Sequence, residues 1–136
     1  MFDLRVEEYS TIKHSNAFVD ILLRRSERLP WEPPTMGYTT VDCESRPVAF
    51  GFLRECEGNY AIFDGLLTDP DFKSEVRDHA LELVVKELIK AAKLKNIKNI
   101  IGFTSDKHTL MRSINHGFLC IDQQLIALSL EANINE

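Results

Sequence analysis

The sequence predicts an α+β domain: a mixed central sheet flanked by helices, in the order β-α-β-β-β-α-β-α-β. Three observations carry that reading. Between Tyr38 and Leu67, apolar runs are separated by short polar turns, as in an antiparallel meander. From Lys73 to Leu94 a long helical pattern places Ala80, Leu81, Val84, Val85, Leu88, Ala91 and Ala92 on one face. A short apolar run, Ile100 to Phe103, then a second helical pattern and Asn115-His116-Gly117-Phe118 complete the order.

Taken in turn, Phe2, Leu4 and Val6 alternate with Asp3, Arg5 and Glu7, a half-buried strand. Ser10 or Thr11 caps a helix extending to about Leu29, whose period is marked by Ile12, Phe18, Ile21, Leu22 and Arg25. Pro30 ends it, and Pro30-Trp31-Glu32-Pro33-Pro34 is an irregular connector, with Trp31 either a lid on the core or an aromatic facing a substrate. Tyr38–Asp42, Val48–Arg54 and Tyr60–Leu67 follow as strands, turning at Arg46-Pro47 and at Glu57-Gly58-Asn59. The Lys73–Leu94 helix forms a crossover to Ile100–Phe103, and the two strands it joins need not pair along their full length. Asp106 caps a helix to about His116, and Gly117 supplies the left-handed residue that ends it. Phe118 to Leu130 returns as a strand.

At 136 residues the chain is expected to be a single domain, residues 1–136, able to bury its own core. A net charge of −5 argues against nucleic acid or an acidic membrane as the main partner. The local clusters Arg24-Arg25 and Lys90, Lys93, Lys95, Lys98 read as solvated helix faces. No apolar run approaches the roughly 20 residues of a membrane span, and the N-terminus lacks the order of a signal peptide. A cytoplasmic protein is expected. Cys43, Cys56 and Cys120 are widely spaced with no CxxC, so neither a disulfide framework nor a metal site is expected.

The stretch Ala61 to Phe118 carries a further signal. A strand ending Leu66-Leu67-Thr68-Asp69-Pro70 runs directly into a helix, and a helix N-terminus in that position favours an anion. This layout, closed by Gly117-Phe118, resembles the cofactor half of the GNAT-type N-acetyltransferase superfamily. The run Lys107-His108-Thr109-Leu110-Met111-Arg112 and a longer turn before the helix look like divergent members found in phage genomes.

The resemblance implies acetyl-CoA as co-substrate and a small-molecule or peptide amine as acceptor, attacked directly with no covalent intermediate. In family members pantetheine lies against a splayed strand, which assigns Leu66, Leu67 and Thr68 to the cofactor here. The pyrophosphate sits on Arg/Gln-x-x-Gly-x-Gly/Ala. One register gives Glu75, Asp78 and Ala80 those places; the other gives them to Lys73, Val76 and Asp78. The first is preferred, because it sets small Ala80 where backbone must approach the cofactor. It implies phosphate contacts from the N–H groups of Arg77 to Ala80. Lys73, Ser74, Arg77 and His79 would compensate for the missing glycines and for the Asp78 carboxylate. Asp106 stands where members carry Asn, and Ser113 where many carry a Tyr acid. A serine's pKa is too high to protonate a thiolate, so water, His116 or Cys120 would have to help. Asp64 is the candidate base on the splayed strand, with Gly65 beside it marking a β-bulge. Members commonly dimerise through their last strands, and the apolar run Leu125 to Leu130 is compatible with that. A non-catalytic module of this shape, binding CoA or a protein partner, is the alternative.

Overall fold

The computed structural model describes residues 2–27, 32–34, 36–103 and 107–118. Trp31, Asp106, Cys120 and residues 119–136, with most of the last expected strand, lie outside them. The chain divides into two compact units, Met1–Gly102 and Phe103–Glu136. The first contains β1 (Arg5–Glu8), α1 (Thr11–Arg24), β2 (Met36–Val41), β3 (Pro47–Cys56), β4 (Tyr60–Thr68), α2 (Ser74–Leu94) and β5 (Asn99–Ile101). The described part of the second is centred on α3 (Lys107–Asn115).

The strands of the first unit form one five-stranded sheet in sequence order, β1-β2-β3-β4-β5. β1 to β4 pair antiparallel, while β4 and β5, connected through α2, pair parallel. This is the α+β architecture the sequence predicts, with a mixed sheet and helices around it.

Within the first unit, among the described residues, α2 packs on one face of the sheet and α1 on the other. Ala80, Val84, Leu88 and Ala92 of α2 recur at helical spacing and pack on Val48, Ala49, Leu53 and Ala61. On the other face Phe18 and Ile21 of α1 meet Phe50, Phe52 and Leu67. Tyr9 closes that layer edge-on, 4.9 Å from the Phe52 ring. Gly37 of β2 lies directly over Phe52, where a Cβ would collide with the ring.

His14 is buried at the start of α1. Its Nδ1 accepts the Ser10 N–H at 2.9 Å, so its proton sits on Nε2, which donates to Glu7 Oε1 at 2.7 Å. The His14 bond, aided by Lys13, holds the Glu7 carboxyl below the usual carboxylate range despite some burial.

The helix α1 ends at Arg24, short of the expected Leu29. Ser26 takes a φ of 53°, and the N–H groups of Ser26 and Glu27 return to the carbonyls of Leu23 and Leu22. That is the Schellman ending, built on serine where glycine is the usual signal. α2 ends the same way on Asn96, at φ 60°. In the second unit α3 ends on Gly117, at φ 93°, with Phe118 N–H bonded to the Ser113 carbonyl.

The β3–β4 ladder contains the irregularity expected at Gly65. Phe50 faces Leu67, yet Phe52 faces Asp64, so Gly51 stands against Gly65 and Leu66 together. Gly65 has a φ of 67°. A Cβ on Gly51 would lie 2.6 Å from Val84 Cγ1 and 2.8 Å from Leu66 Cδ2, so a glycine makes room for the bulge. The extra residue also puts Asp64 and Leu67 on one face. Without it, strand alternation would send them to opposite faces.

Candidate functional site

The parallel pairing of β4 with β5 covers Tyr60, Ala61 and Ile62, and stops where β5 ends at Ile101. From Gly65 to Thr68 the second edge of β4 has no strand partner among the described residues. Asp69 N–H bonds to the Val48 carbonyl at 2.8 Å. Residues of an antiparallel strand face their partner alternately, so Thr68 turns its N–H and C=O to the open edge. Leu66, at the bulge, has no partner in the β3 ladder. Leu67 is buried against Phe18 and Ile21.

Asp64 lies on the α1 face, opposite Phe52, and is 9% exposed. Its Oδ2 accepts from Arg54 Nε and lies 3.1 Å from both Arg54 Nε and Nη2. Arg54 also donates to the Glu32 carbonyl. Arg54 was not among the expected site residues, although it continues the series Phe50, Phe52 along β3.

Beyond Thr68 the chain turns through Asp69-Pro70-Asp71-Phe72 into α2. The N-cap residue, Lys73, is extended and makes no side-chain cap. Arg77 N–H already bonds to the Lys73 carbonyl at 3.0 Å. The N–H groups left over by the helix are therefore those of Ser74 to Val76. The expected contacts from Arg77 to Ala80 fall within helix. Ala80 is 0% exposed in the core, and its carbonyl accepts the Thr40 hydroxyl at 2.8 Å. Asp78 and His79 are exposed, and the His79 ring sits 5.7 Å from that of Phe2. Arg77 Nε is buried with no hydrogen-bond partner. A buried orphan donor beside an uncapped helix start suits an anion.

The arginines read as a solvated pair are both engaged. Because α1 stops at Arg24, its end reaches the end of β4. Arg24 Nη1 donates to Asp69 Oδ1 at 2.7 Å and to Asp71 Oδ2 at 2.8 Å, and Nη2 donates to Asp69 Oδ2 at 3.0 Å. Arg25 Nε donates to the Thr68 carbonyl at 2.6 Å and Nη2 to the Thr68 hydroxyl at 2.8 Å. The available signal was Arg25 itself, a charged residue on the apolar stripe of its helix.

Burial pushes the Asp69 carboxyl up, but the bonds from Arg24 and the Asp71 N–H, with the charges of Arg24 and Arg46, hold it below the usual range. A depressed carboxyl stabilises fully above its unfolded pKa, and the contribution is lost as pH falls through the folded value. Arg24→Ala should therefore lower the thermal midpoint at neutral pH. The two melting curves should converge below about pH 4, where ordinary aspartate titrates. Melting scans across pH test this; a gap that stays constant into acid would refute the ion-pair account.

In the second unit Ser113 lies within α3, and its hydroxyl donates back to the Thr109 carbonyl at 2.8 Å. The remaining candidate, Asp106, is outside the described residues. The structure thus brings together Asp64, Leu66, Leu67, Thr68, Lys73 and Arg77 along one strand and the helix start after it.

Several solved acetyltransferases share this architecture. One from Trypanosoma brucei matches with a TM-score of 0.68 at 13% identity, over 94% of this chain and 100% of its own. A GNAT-family acetyltransferase from Staphylococcus aureus Mu50 matches at 0.68 with 14% identity, over 88% and 87%. A Mycobacterium tuberculosis protein solved in complex with CoA matches at 0.67 with 16% identity, over 87% and 73%. No family model and no curated protein matches the sequence. At these identities the likeness is one of fold, and the chain has the GNAT-type acetyltransferase fold. Among the described residues no helix is long and apolar enough to cross a membrane.

Proposed function

We propose that the whole chain acts as one cytoplasmic domain, an N-acyltransferase passing acetyl from acetyl-CoA to a small-molecule or peptide amine. One observation carries the reading: the edge of β4 from Gly65 to Thr68, unpaired among the described residues, leads through the turn Asp69 to Lys73 into the uncapped start of α2. A strand edge offers amide pairing to pantetheine. The helix start, with Lys73 and the orphaned Arg77 Nε, offers donors to a pyrophosphate. The donor set fits the cofactor even though the motif glycines are absent.

In this reading catalysis is mainly positioning: residues along β4 would hold the thioester so that the amine can attack its carbonyl carbon. Asp64 receives the amine proton, directly or through water. A backbone N–H near Leu67 faces the developing oxyanion. Protonation of the departing thiolate falls to water, or to Ser113 assisted by water, His116 or Cys120. The acidic chain favours a cationic acceptor.

The Arg54 guanidinium on Asp64 favours a second reading, a CoA-binding module without turnover, since one carboxylate oxygen is already engaged. Thiol release from acetyl-CoA across a panel of polyamines, aminosugars and peptide amines separates the two. Amine-dependent release is expected. Release no faster than the solvent rate with every amine, from protein that binds the cofactor, would favour the module.

A further inference from the structure

Arg25 has no place in the reading above, yet it holds the group a pantetheine arm would need. Its Nε sits 2.6 Å from the Thr68 carbonyl, on the edge of β4 that β5 leaves open. Its Nη2 holds the Thr68 hydroxyl at 2.8 Å. The backbone around it is fixed. The Schellman ending at Ser26 sets the direction of the chain, and Arg24 ties the same helix end to Asp69 and Asp71. Only the Arg25 side chain need move to free the carbonyl.

We infer that Arg25 is a phosphate-binding residue parked on the strand edge, which exchanges the Thr68 carbonyl for a phosphate of a CoA-type ligand. The inference rests on the CoA reading and deepens it. A guanidinium bonded to a neutral carbonyl gains by moving to a phosphate, where its fork pairs with two charged oxygens. The same movement uncovers the Thr68 carbonyl for an amide N–H of the pantetheine arm. Thr68 and the start of α2 are separated only by the turn Asp69 to Lys73, so carbonyl and helix start address adjoining parts of one extended ligand. The cationic side chain also supplies N–H donors in place of those a glycine-rich turn would present. A ligand with the pantetheine arm but no phosphate would have to displace Arg25 with nothing to receive it. The site would then discriminate for the phosphorylated carrier over the bare arm.

The test compares CoA with pantetheine, which has the arm and the thiol but no phosphate, on wild type, Arg25→Gln and Arg25→Lys. Calorimetric titration and thermal melts are run on each. Arg25→Gln should weaken CoA by about tenfold, the scale of one lost charge-assisted bond. It should leave pantetheine unchanged or tighter, because the carbonyl is no longer held by a cation. Arg25→Lys, which keeps the charge but not the fork, should fall between for CoA. Equal weakening of both ligands would overturn the exchange and make Arg25 a structural clamp. No change in either would also overturn it. Should Arg25→Gln not fold, the ratio of the two affinities in Arg25→Lys decides in the same way. Wild type that binds no CoA would sink the parent reading as well, an outcome distinct from wild-type binding that is indifferent to Arg25.

Discussion

Asp64→Asn is expected to cut turnover by about a hundredfold to ten-thousandfold, the range of a lost general base, and to leave the dissociation constant for acetyl-CoA unchanged. The substitution keeps the shape of a side chain that is 9% exposed and packed on the α1 face. The amide oxygen still accepts from Arg54, so the ion pair becomes a neutral-acceptor bond without stranding the guanidinium in the protein. What disappears is the ability to take a proton. Steady-state rates and titration on the same preparation separate the two effects. Turnover within a few-fold of wild type would remove Asp64 from the chemistry and leave water or another group as the base.

The second large effect concerns the fold under the site. Phe52→Ala should destabilise the protein by about 3–5 kcal/mol, as for other buried aromatic truncations. Phe52 is 0% exposed, stacks edge-on with Tyr9 at 4.9 Å and Phe18 at 5.4 Å, and fills the space that Gly37 leaves open. It is also the residue directly opposite Asp64. The cavity would therefore open beneath the bulge, and the bulge holds Asp64 on the α1 face. Urea unfolding measures the loss. A change under about 1 kcal/mol would mean the aromatic layer collapses without cost, unlike a packed core.

The parts of this architecture that were legible in the sequence are those with a local cause. The long α2 pattern is legible because Ala80, Val84, Leu88 and Ala92 must all face one sheet. Gly65 and Gly117 are legible because each takes a positive φ that side chains resist. The end of α1 was not legible: Ser26 adopts that conformation without the residue that usually announces it. That shift of the helix end carried a functional consequence. With α1 run to Leu29, Arg24 and Arg25 looked like a solvated pair; with it stopped at Arg24, they grip Asp69 and Thr68.

The start of α2 shows a related ambiguity in a small residue. Ala80 is small, and in the sequence smallness signals room for a close approach. In the structure it is room for β2, whose Thr40 hydroxyl reaches the Ala80 carbonyl. Nothing local distinguishes an alanine that clears space for a ligand from one that clears space for a strand. The Arg54–Asp64 pair joins β3 to β4, and such a pair becomes visible only once the hairpin register is known.

The central claim is that the open edge of β4 and the start of α2 form a CoA groove despite the absent glycines. Calorimetric titration of the full chain with acetyl-CoA, with CoA alongside, tests it most directly. The account predicts saturable binding of both at micromolar concentration. No heat and no thermal shift at millimolar ligand would contradict it, and would leave a GNAT-type fold whose helix start binds no pyrophosphate.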